Sequence, residues 1–323
     1  MLNLNIDGDC DLQEKLKLTK LAGELKIKLT SGTITVSSEM LTFSIETSSD
    51  EVLVGFDGRV DSLVMVESSL QMPKDCSRFF SKCTNLTNVK VNTSLVTDMT
   101  GMFDGCSSLT RVQYSDTSQV TSMREMFSCC SSLTEVPHFD TSQVTDMSGM
   151  FSGRFIGKFI GCSSLIGVPH FNTSQVTSMA KMFSGCSSLT GVPHFNTSQV
   201  TSMSEMFSNC SSLTGVPHFD TSQVTNMIAM FNGCHSLTGI PCFDTSQVTD
   251  MGAMFNHCRR LTGVPHFDTS QVTNMGAMFE YCLRLTEVLH FDTSQVTDMS
   301  CMFSGCWSLT RVPRFDTSKV TDM

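Results

Sequence analysis

The chain has 323 residues, of which 40% are hydrophobic, so it is long enough and apolar enough to bury a sizeable core. The formal net charge is −10 and the 21 basic residues are scattered, which argues against nucleic acid because phosphate binding needs clustered Lys and Arg. No apolar run approaches the roughly 18 residues that a membrane-spanning helix requires. A content of 23 Met, 23 Phe and 15 Cys against one Trp indicates that one unit is repeated.

The first 71 residues differ from the rest of the chain. The segment starting at Met1 lacks the basic-then-apolar plan of a signal peptide, so no export route is visible. Leu25 to Leu29, Thr33 to Val36 and Leu41 to Ile45 are β-rich or alternate, and Ser, Gly and Asp separate them. We predict a small β-rich N-terminal region or cap over residues 1–71.

A repeat unit of about 24 residues fills residues 72–323. It reads V-T-x-M-x-x-M-F-x-x-C-S-S-L-T-x-V-P-H-F-D/N-T-S-Q, and a weaker first copy contains Phe80 and Cys83. A period in this range is typical of a solenoid, because a single unit cannot bury its own apolar side but a stack can. The Met-Phe pairs that mark the units end at Phe103, Phe127, Phe151, Phe183, Phe207, Phe231, Phe255, Phe279 and Phe303.

Two irregularities interrupt the period. The spacing from Phe151 to Phe183 is longer than the others by eight residues, and we assign the excess to an insertion at residues 152–159. The last unit stops partway, at Met323, whereas solenoids need a polar cap. The mid-unit ending therefore suggests a truncated chain, a fragment, or an end that a partner covers, and an oligomer could form through the uncapped last coil.

Each unit is predicted to form one coil of an α/β repeat solenoid. Leu133 to Pro137 is expected to be a short strand, and Asp140 to Ser142 a turn in which side-chain oxygens bond nearby N–H groups. Gln143 to Thr145 could add a second short strand. Met147, Met150 and Phe151 follow the three-and-four spacing of a short helix facing the core, which Thr145 and Asp146 could cap.

The unit resembles the BspA-like leucine-rich repeats of bacterial surface proteins. The resemblance is carried by the block Met182-Phe183-Ser184-Gly185-Cys186-Ser187-Ser188-Leu189-Thr190 and by Phe219-Asp220-Thr221-Ser222-Gln223-Val224-Thr225-Asn226-Met227. It implies a leucine-rich-repeat-like fold and a cell-surface protein that adheres to host proteins or other cells.

The cysteine and methionine columns are interpreted as core. One cysteine per unit lies on the apolar stripe without any C-x-x-C spacing, which favours buried free thiols over disulfides or a metal site. Most methionines fall in two columns, where core packing is favoured over a copper site. The cysteines outside the column are expected to be more reactive: Cys10, Cys76, Cys129, Cys242 and Cys301.

A histidine column is the main candidate for partner binding. It lies between Pro and Phe and is expected to face outward, where the imidazoles could bind metal, form a pH-sensitive or aromatic contact surface, or be neutral decoration. One unit supplies no second ligand, so we predict no metal and no cofactor. The column consists of His138, His170, His194, His218, His266 and His290, with Cys242 and Arg314 at two further places.

Two other features were weighed as sites. In the Asp/Asn column, Asp140 alternates with residues such as Asn172, which fits a ladder of turns better than calcium, because calcium needs several converging oxygens. The insertion carries Arg154, Phe155 and Lys158, and it could be either a tolerated loop or a local contact site.

The sequence contains no recognisable catalytic motif, and its rows of identical residues are unlike the convergence of unlike groups in an active site. We therefore predict a non-enzymatic binding or adhesion module with a protein or glycan partner. The alternatives are a structural spacer or assembly subunit, and an intracellular effector that acts through protein contacts.

Overall fold

The computed structural model describes the backbone of residues 65–114, 116–155 and 159–323 and of the earlier strands, with side chains from residue 72 onward except at 115 and 154–160. Two sheets involve the N-terminal region. The strands are β1 (Cys10–Asp11), β2 (Leu25–Leu29), β3 (Thr33–Val36), β4 (Leu41–Ser44), β5 (Asp50–Gly55), β6 (Met65–Gln71), β7 (Asn88–Asn92) and β8 (Arg111–Tyr114).

The larger sheet connects the N-terminal region to the first coils. Its order is β2-β5-β6-β7-β8; β5 pairs antiparallel with β2 and β6, whereas β6-β7 and β7-β8 are parallel. The smaller sheet has β4 between β1 and β3. Strand β6 therefore supplies backbone partners to the first coil, whose edge would otherwise be unpaired.

From Asp75 onward, a parallel β-bridge joins each coil to the next at the residue before the first Met of the unit, which is Cys76 in the first coil. On one side of the bridge, the Thr201 N–H donates to Thr177 O of the preceding coil at 2.9 Å. On the other side, the Met203 N–H donates to Asn226 O of the following coil at 3.1 Å. The chain is therefore a repeat solenoid whose coils are hydrogen-bonded to both neighbours.

The predicted helix is not formed: in the described part of the chain, its place in every coil is taken by successive turns. The Met206, Ser208 and Cys210 N–H groups donate to carbonyls three residues earlier. The intervening N–H groups of Glu205 and Phe207 donate to the next coil, at 2.8 and 2.9 Å. Half of the amides are thus used between coils, which an α-helix does not allow.

Two left-handed residues in each coil, or one in the coil of Gly149, cause this departure from a helix. Glu205 (φ 54°) and Asn209 (φ 60°) are left-handed, as are their equivalents Gly101 and Gly105 in another coil. An α-helix requires negative φ at every residue. The apolar spacing of three that suggested a helix is equally produced by turns of three residues each.

The predicted strand between the Leu and Pro positions of the repeat unit forms only in coils that lack the proline. Strands β7 and β8 lie in coils without the Val-Pro-His segment, and a bridge joins Glu287 to Arg311 in a pair of coils where Leu289 replaces the proline. Proline has no N–H to donate and is poorly accommodated in a central strand. The remaining coils are extended there without a ladder.

The core is a set of columns that run along the stack. The Val, Met, Met-Phe, Cys and Leu positions of the inner coils are buried, as at Val200, Met203, Phe207, Cys210 and Leu213. Two stacks of phenylalanine rings follow the axis. Ring centroids are 5.5 to 5.8 Å apart in the Met-Phe stack and 6.2 to 6.4 Å apart in the His-Phe stack. The coils are thus spread more widely on the His-Phe side.

The extra residues leave the stack as a hairpin of β9 (Arg154–Phe155) and β10 (Phe159–Ile160). Ser152 is buried at the position that Ser184 occupies in the next coil. Gly161 precedes Cys162 as Gly185 precedes Cys186. The coil therefore closes normally beneath a loop of residues 153–160.

Candidate interaction surface

The histidine column lies on the outside of the solenoid. His138, His170, His194, His218, His266 and His290 are all exposed, and so are Cys242 and Arg314 at the equivalent positions. Each is followed by a Phe of the His-Phe stack, and the inner phenylalanines of this stack, such as Phe195 and Phe219, are fully buried. Because neighbouring residues of an extended chain point to opposite sides, burial of the Phe turns the preceding His outward.

The ring stack sets the spacing of this row. Phe171 and Phe195 are 6.4 Å apart, as are Phe195 and Phe219, with interplanar angles of 7° in both pairs. The imidazoles that precede them are therefore presented at regular intervals along one side. The structure brings these six residues into one row, but not around a common point.

An Asp/Asn turn follows each histidine. The Asp140 carboxylate accepts a hydrogen bond from the Ser142 N–H at 3.0 Å, and the Asn172 side-chain oxygen accepts from the Ser174 N–H at 3.2 Å. Asp and Asn thus accept the same turn hydrogen bond, as expected for a ladder of turns. The Ser142 backbone and side-chain hydrogen bonds, with a smaller effect of His138, lower the pKa of Asp140.

A buried threonine locks each turn to the next coil. The Thr197 hydroxyl donates to Asp220 O at 2.8 Å, and the Thr221 hydroxyl donates to Asp244 O at 2.7 Å. Both threonines are no more than 2% exposed. The turns below the histidine row are consequently tied together by side chains as well as by backbone.

Two hollows flank the start of the histidine row. The sequence alone did not reveal these hollows. One, of about 180 Å³, is lined by Tyr114, Asp116, Pro137, His138 and Asp140 among others. The other, of about 290 Å³, lies between Arg111 to Gln113 and Glu135 to Pro137. Both occur where a coil without the proline meets the first coil that has it, so the change in unit composition was the available signal.

The insertion residues are only partly described. Arg154 and Phe155 form β9, while their side chains and the whole of Lys158 lie outside the described residues. The hairpin sits next to Cys162, on a different part of the coil from the histidine row. The structure therefore does not bring the two groups of candidate residues together.

The cysteine column is buried and its thiols are free. Sequence reasoning missed that the column thiols from Cys106 to Cys306 also donate hydrogen bonds. Cys210 Sγ donates to Phe183 O and Cys234 Sγ donates to Phe207 O, both at 3.1 Å. Burial raises the pKa of these thiols well above the usual value.

The expectation for the remaining cysteines needs one correction. Cys242 and Cys301 are exposed and Cys129 is partly exposed, but Cys76 is buried, with its thiol donating to Pro73 O at 3.2 Å. Burial, with smaller effects of Asp75 and Asp98, raises the pKa of Cys76 to about 12. The prediction that Cys76 is more reactive is wrong because the first coil uses it in the core; the side chain of Cys10 lies outside the described residues.

No group of three His, Cys, Asp or Glu side chains that could hold a metal ion occurs among the residues that the structure describes. Over the same residues, no helix has the length and apolar character of a membrane span. Chemically, the surface offers imidazoles, short polar side chains and shallow hollows.

These stacked coils define a repeat solenoid protein. The family described as "Mycoplasma protein of unknown function, DUF285" matches residues 74–156, 154–263 and 238–323, and the chain belongs to this family. The assignment agrees with the BspA-like resemblance of the repeat unit. No curated protein matches the sequence.

Several solved structures are similar to the chain. A leucine rich cell surface protein from Faecalibacterium prausnitzii is 18% identical, with 90% of this chain and 89% of that chain covered and a TM-score of 0.41. A leucine-rich repeat protein from Eubacterium ventriosum is 14% identical over 90% and 97% of the two chains, with a TM-score of 0.40. One from Bacteroides ovatus is 15% identical over 90% and 70%, with a TM-score of 0.36.

Proposed function

We propose that this chain is a non-enzymatic binding and adhesion module that presents its outward histidine row to a protein or glycan partner. The observation that carries the proposal is that the six histidines are all exposed on one side, each fixed by a phenylalanine beneath it. Many weak contacts made by equivalent coils add up to useful avidity when the partner is itself extended. The hollow beside His138 is below the usual size of a small-molecule pocket, so it suits one side chain or sugar group.

The experiment uses the full chain against immobilised panels of defined proteins and glycans, read by biolayer interferometry. Replacing His194 and His218 by Ala should weaken binding to any hit by about tenfold, if each contact contributes roughly 0.5 to 1 kcal/mol. Replacing Gln199 and Gln223, which are exposed elsewhere on the same coils, is the matched control and should leave binding unchanged. Equal binding by the histidine variant and the original chain would refute the surface assignment.

The hairpin is proposed as a secondary contact through Arg154, Phe155 and Lys158. Deletion of residues 153–160 restores the Phe-Ser-Gly-Cys block of the neighbouring coil, so the variant keeps the coil intact. If the hairpin contributes, the deletion weakens binding to the same hit; unchanged binding assigns the segment to a tolerated loop.

We also propose that residues 1–71 act as a cap for residues 72–323. The parallel pairing of β6 with β7 supports this assignment, because it occupies the exposed edge of the first coil.

An assembly subunit is the second candidate function. It is favoured by an apolar hollow of about 350 Å³ in the final coil, lined by residues that include Met302, Phe303, Phe315 and Met323. Light scattering over a range of concentrations tests it: a mass that rises with concentration supports assembly, and a constant monomer mass that still binds a panel hit contradicts it.

A further inference from the structure

One corner of the coil changes character in the C-terminal part of the array. In the middle coils, the residues around the column cysteine are small and polar, as in Gly185-Cys186-Ser187-Ser188. In later coils, cationic and aromatic side chains replace them. We call these residues the corner patch: His257, Arg259, Arg260, Tyr281, Arg284 and Trp307.

The hydrogen bonds between coils hold the patch in register. The His257 N–H donates to Glu280 O and the Tyr281 N–H donates to Ser304 O, both at 2.7 Å. Both residues are left-handed, with φ of 59° and 56°, so the same backbone geometry directs both side chains. Their rings stack with centroids 4.7 Å apart and planes 19° apart.

The second row of the patch, which contains Arg259 and Trp307, is fixed by hydrogen bonds within a coil and between coils. The Arg259 N–H donates to His257 O at 2.8 Å, and the Trp307 N–H donates to Gly305 O at 3.1 Å. The Ser308 hydroxyl donates to Leu283 O at 2.7 Å, which joins the Trp307 corner to the preceding one. Arg260 and Arg284 therefore occupy equivalent positions of adjacent coils, and Arg259 and Trp307 occupy equivalent positions two coils apart, at roughly 4.8 Å per coil.

The aromatic rings differ in what they offer a ligand. Tyr281 is stacked on His257 and also lies against Gly305, where an added Cβ would come within 2.5 Å of Tyr281 Cδ1. Trp307, in contrast, is 82% exposed. The patch thus presents the open ring of Trp307 next to the ring of Tyr281, which is 40% exposed and stacks on His257.

The patch is positively charged in a chain whose net charge is −10. Arg259, Arg260 and Arg284 are exposed, and none of them forms an ion pair within the described ranges. The adjacent carboxylate of Glu280 accepts a hydrogen bond from Asn256 Nδ2 at 2.9 Å. Burial, followed by the charges of Arg259 and His257, lowers the pKa of His235 beside the patch.

We propose that the corner patch binds an anionic polysaccharide. Guanidinium groups bind carboxylate or sulfate through paired hydrogen bonds, and the open face of Trp307 can cover the apolar side of a sugar ring. Cations repeated along the solenoid axis suit a polymer that carries charge at regular intervals. A single-stranded nucleic acid fits the patch less well, because its bases stack on several open aromatic rings and Trp307 alone in the patch provides an open face. An acidic peptide fits less well because it offers no sugar ring to cover Trp307.

This site is separate from the histidine row, so it does not depend on the proposed function of that row. The chain itself supplies the conservative variant: Arg259→Ser and Arg260→Ser restore the Cys-Ser-Ser-Leu block of other coils, and Arg284→Ser restores the second serine of that block one coil later, after Leu283. The triple variant should keep the circular dichroism spectrum and melting temperature of the original chain.

The probes are dextran sulfate and alginate, with neutral dextran as the uncharged comparison, measured by biolayer interferometry at several salt concentrations. We expect the original chain to bind at least one charged probe and the triple variant to bind it about tenfold more weakly, with a shallower salt dependence. Trp307→Ser should weaken binding without changing the salt dependence. Binding of neither charged probe, or equal binding by the triple variant, would overturn the proposal.

Moving the positive charges to another coil distinguishes binding at the corner patch from nonspecific electrostatic attraction. Adding Ser187→Arg and Ser188→Arg to the triple variant returns two positive charges to an equivalent corner far along the stack from Trp307. Binding should remain weak. Full recovery would show that charge alone is responsible, and tighter binding of oligodeoxythymidine or polyglutamate than of both polysaccharides would show that the partner class is wrong.

Discussion

At the scale of single residues, the buried threonine of each turn makes a bond that sequence periodicity does not distinguish from an exposed one. Thr197 is 1% exposed and donates to Asp220 O at 2.8 Å, whereas Thr201 is exposed and donates to Thr177 O at 3.3 Å. The two differ in burial but not in residue type. They therefore form a natural pair for measuring what burial adds.

Replacing Thr197 by Val should lower the free energy of unfolding by about 1 to 2 kcal/mol, because it removes the hydrogen bond that the buried Thr197 hydroxyl donates to Asp220 O while keeping the side-chain shape. The same change at Thr201 should cost less, since water can replace the lost bond. Urea denaturation followed by circular dichroism measures both. Equal losses at the two sites would contradict the role given to the buried hydroxyl.

The cysteines should separate into two reactivity classes. With the native chain at neutral pH, iodoacetamide should modify the exposed Cys242 and Cys301 and leave the column thiols unmodified, because thiolates are disfavoured in the core. Peptide mass spectrometry after short exposure gives the pattern, and labelling in urea provides the fully reactive control. Early modification of Cys210 or Cys76 would be inconsistent with their burial.

The same thiols predict an alkaline loss of stability. Their pKa values are raised in the folded chain, so the folded state holds its protons while the unfolded thiols ionise above pH about 8.5. Their stabilising contribution is complete below that pH and is lost progressively as the pH rises towards the folded values. Urea midpoints should be lower at pH 8.5 than at pH 7 and lower still at pH 10, because about half of the unfolded thiols are ionised at pH 8.5 and nearly all at pH 10; a midpoint that rises with pH would have the wrong sign.

At the scale of elements, the coil is shaped by its left-handed positions. Ala229 has φ of 51° where Gly101 and Gly149 stand in other coils, and its N–H still donates to Gly252 O at 2.8 Å. Left-handed conformation is costly for a residue with a Cβ. Ala180, one position earlier in its own unit, is not left-handed.

Ala229→Gly should raise the free energy of unfolding by about 0.5 to 1 kcal/mol, because glycine removes the strain. Ala180→Gly should lower it by a similar amount, because there glycine only adds freedom to the unfolded chain. Thermal and urea denaturation of the two variants compare the signs directly. A stabilising effect at both positions, or at neither, would contradict the account of the turn.

The elements show how far sequence reasoning reached. The columns of Met, Phe, Cys, Leu and Val predicted the core, because any periodic apolar stripe must be buried. The helix was wrong because Met147, Met150 and Phe151 have a spacing that turns and helices share; only the inter-coil amide bonds distinguish them. The strand was correct only in coils such as that of β8, where no proline removes a donor.

The surface was predictable in part, for a physical reason. The outward direction of His194 follows from the neighbouring Phe195, so local alternation was sufficient. Arg259 and Arg284 look scattered in the sequence because they are about one unit apart, and only stacking makes them neighbours. Departures from the repeat, such as Trp307, are the signal that could have revealed the corner patch.

At the scale of the whole molecule, deletion of the inserted hairpin shows whether the stacked coils fold independently of residues 153–160. Deleting residues 153–160 should preserve the far-ultraviolet spectrum and leave stability equal or higher, since a shorter connection costs less closure entropy, by about 0.6 kcal/mol per halving of length. Circular dichroism and a melting curve check this. A large loss of stability would mean that the hairpin packs against the stack.

Because every hydrogen bond between coils reaches only the nearest neighbour, the molecule can be lengthened or shortened without redesign. Duplication of one unit within the gene would insert a coil whose Thr, Met and Cys groups meet the same partners as before, extending the molecule by roughly 4.8 Å. The eight extra residues of the coil that contains Phe151 leave the stack as residues 153–160, whereas the first unit is one residue shorter than the others and stays in the stack. The length of the solenoid can therefore change in steps of one repeat unit while every contact between coils is kept.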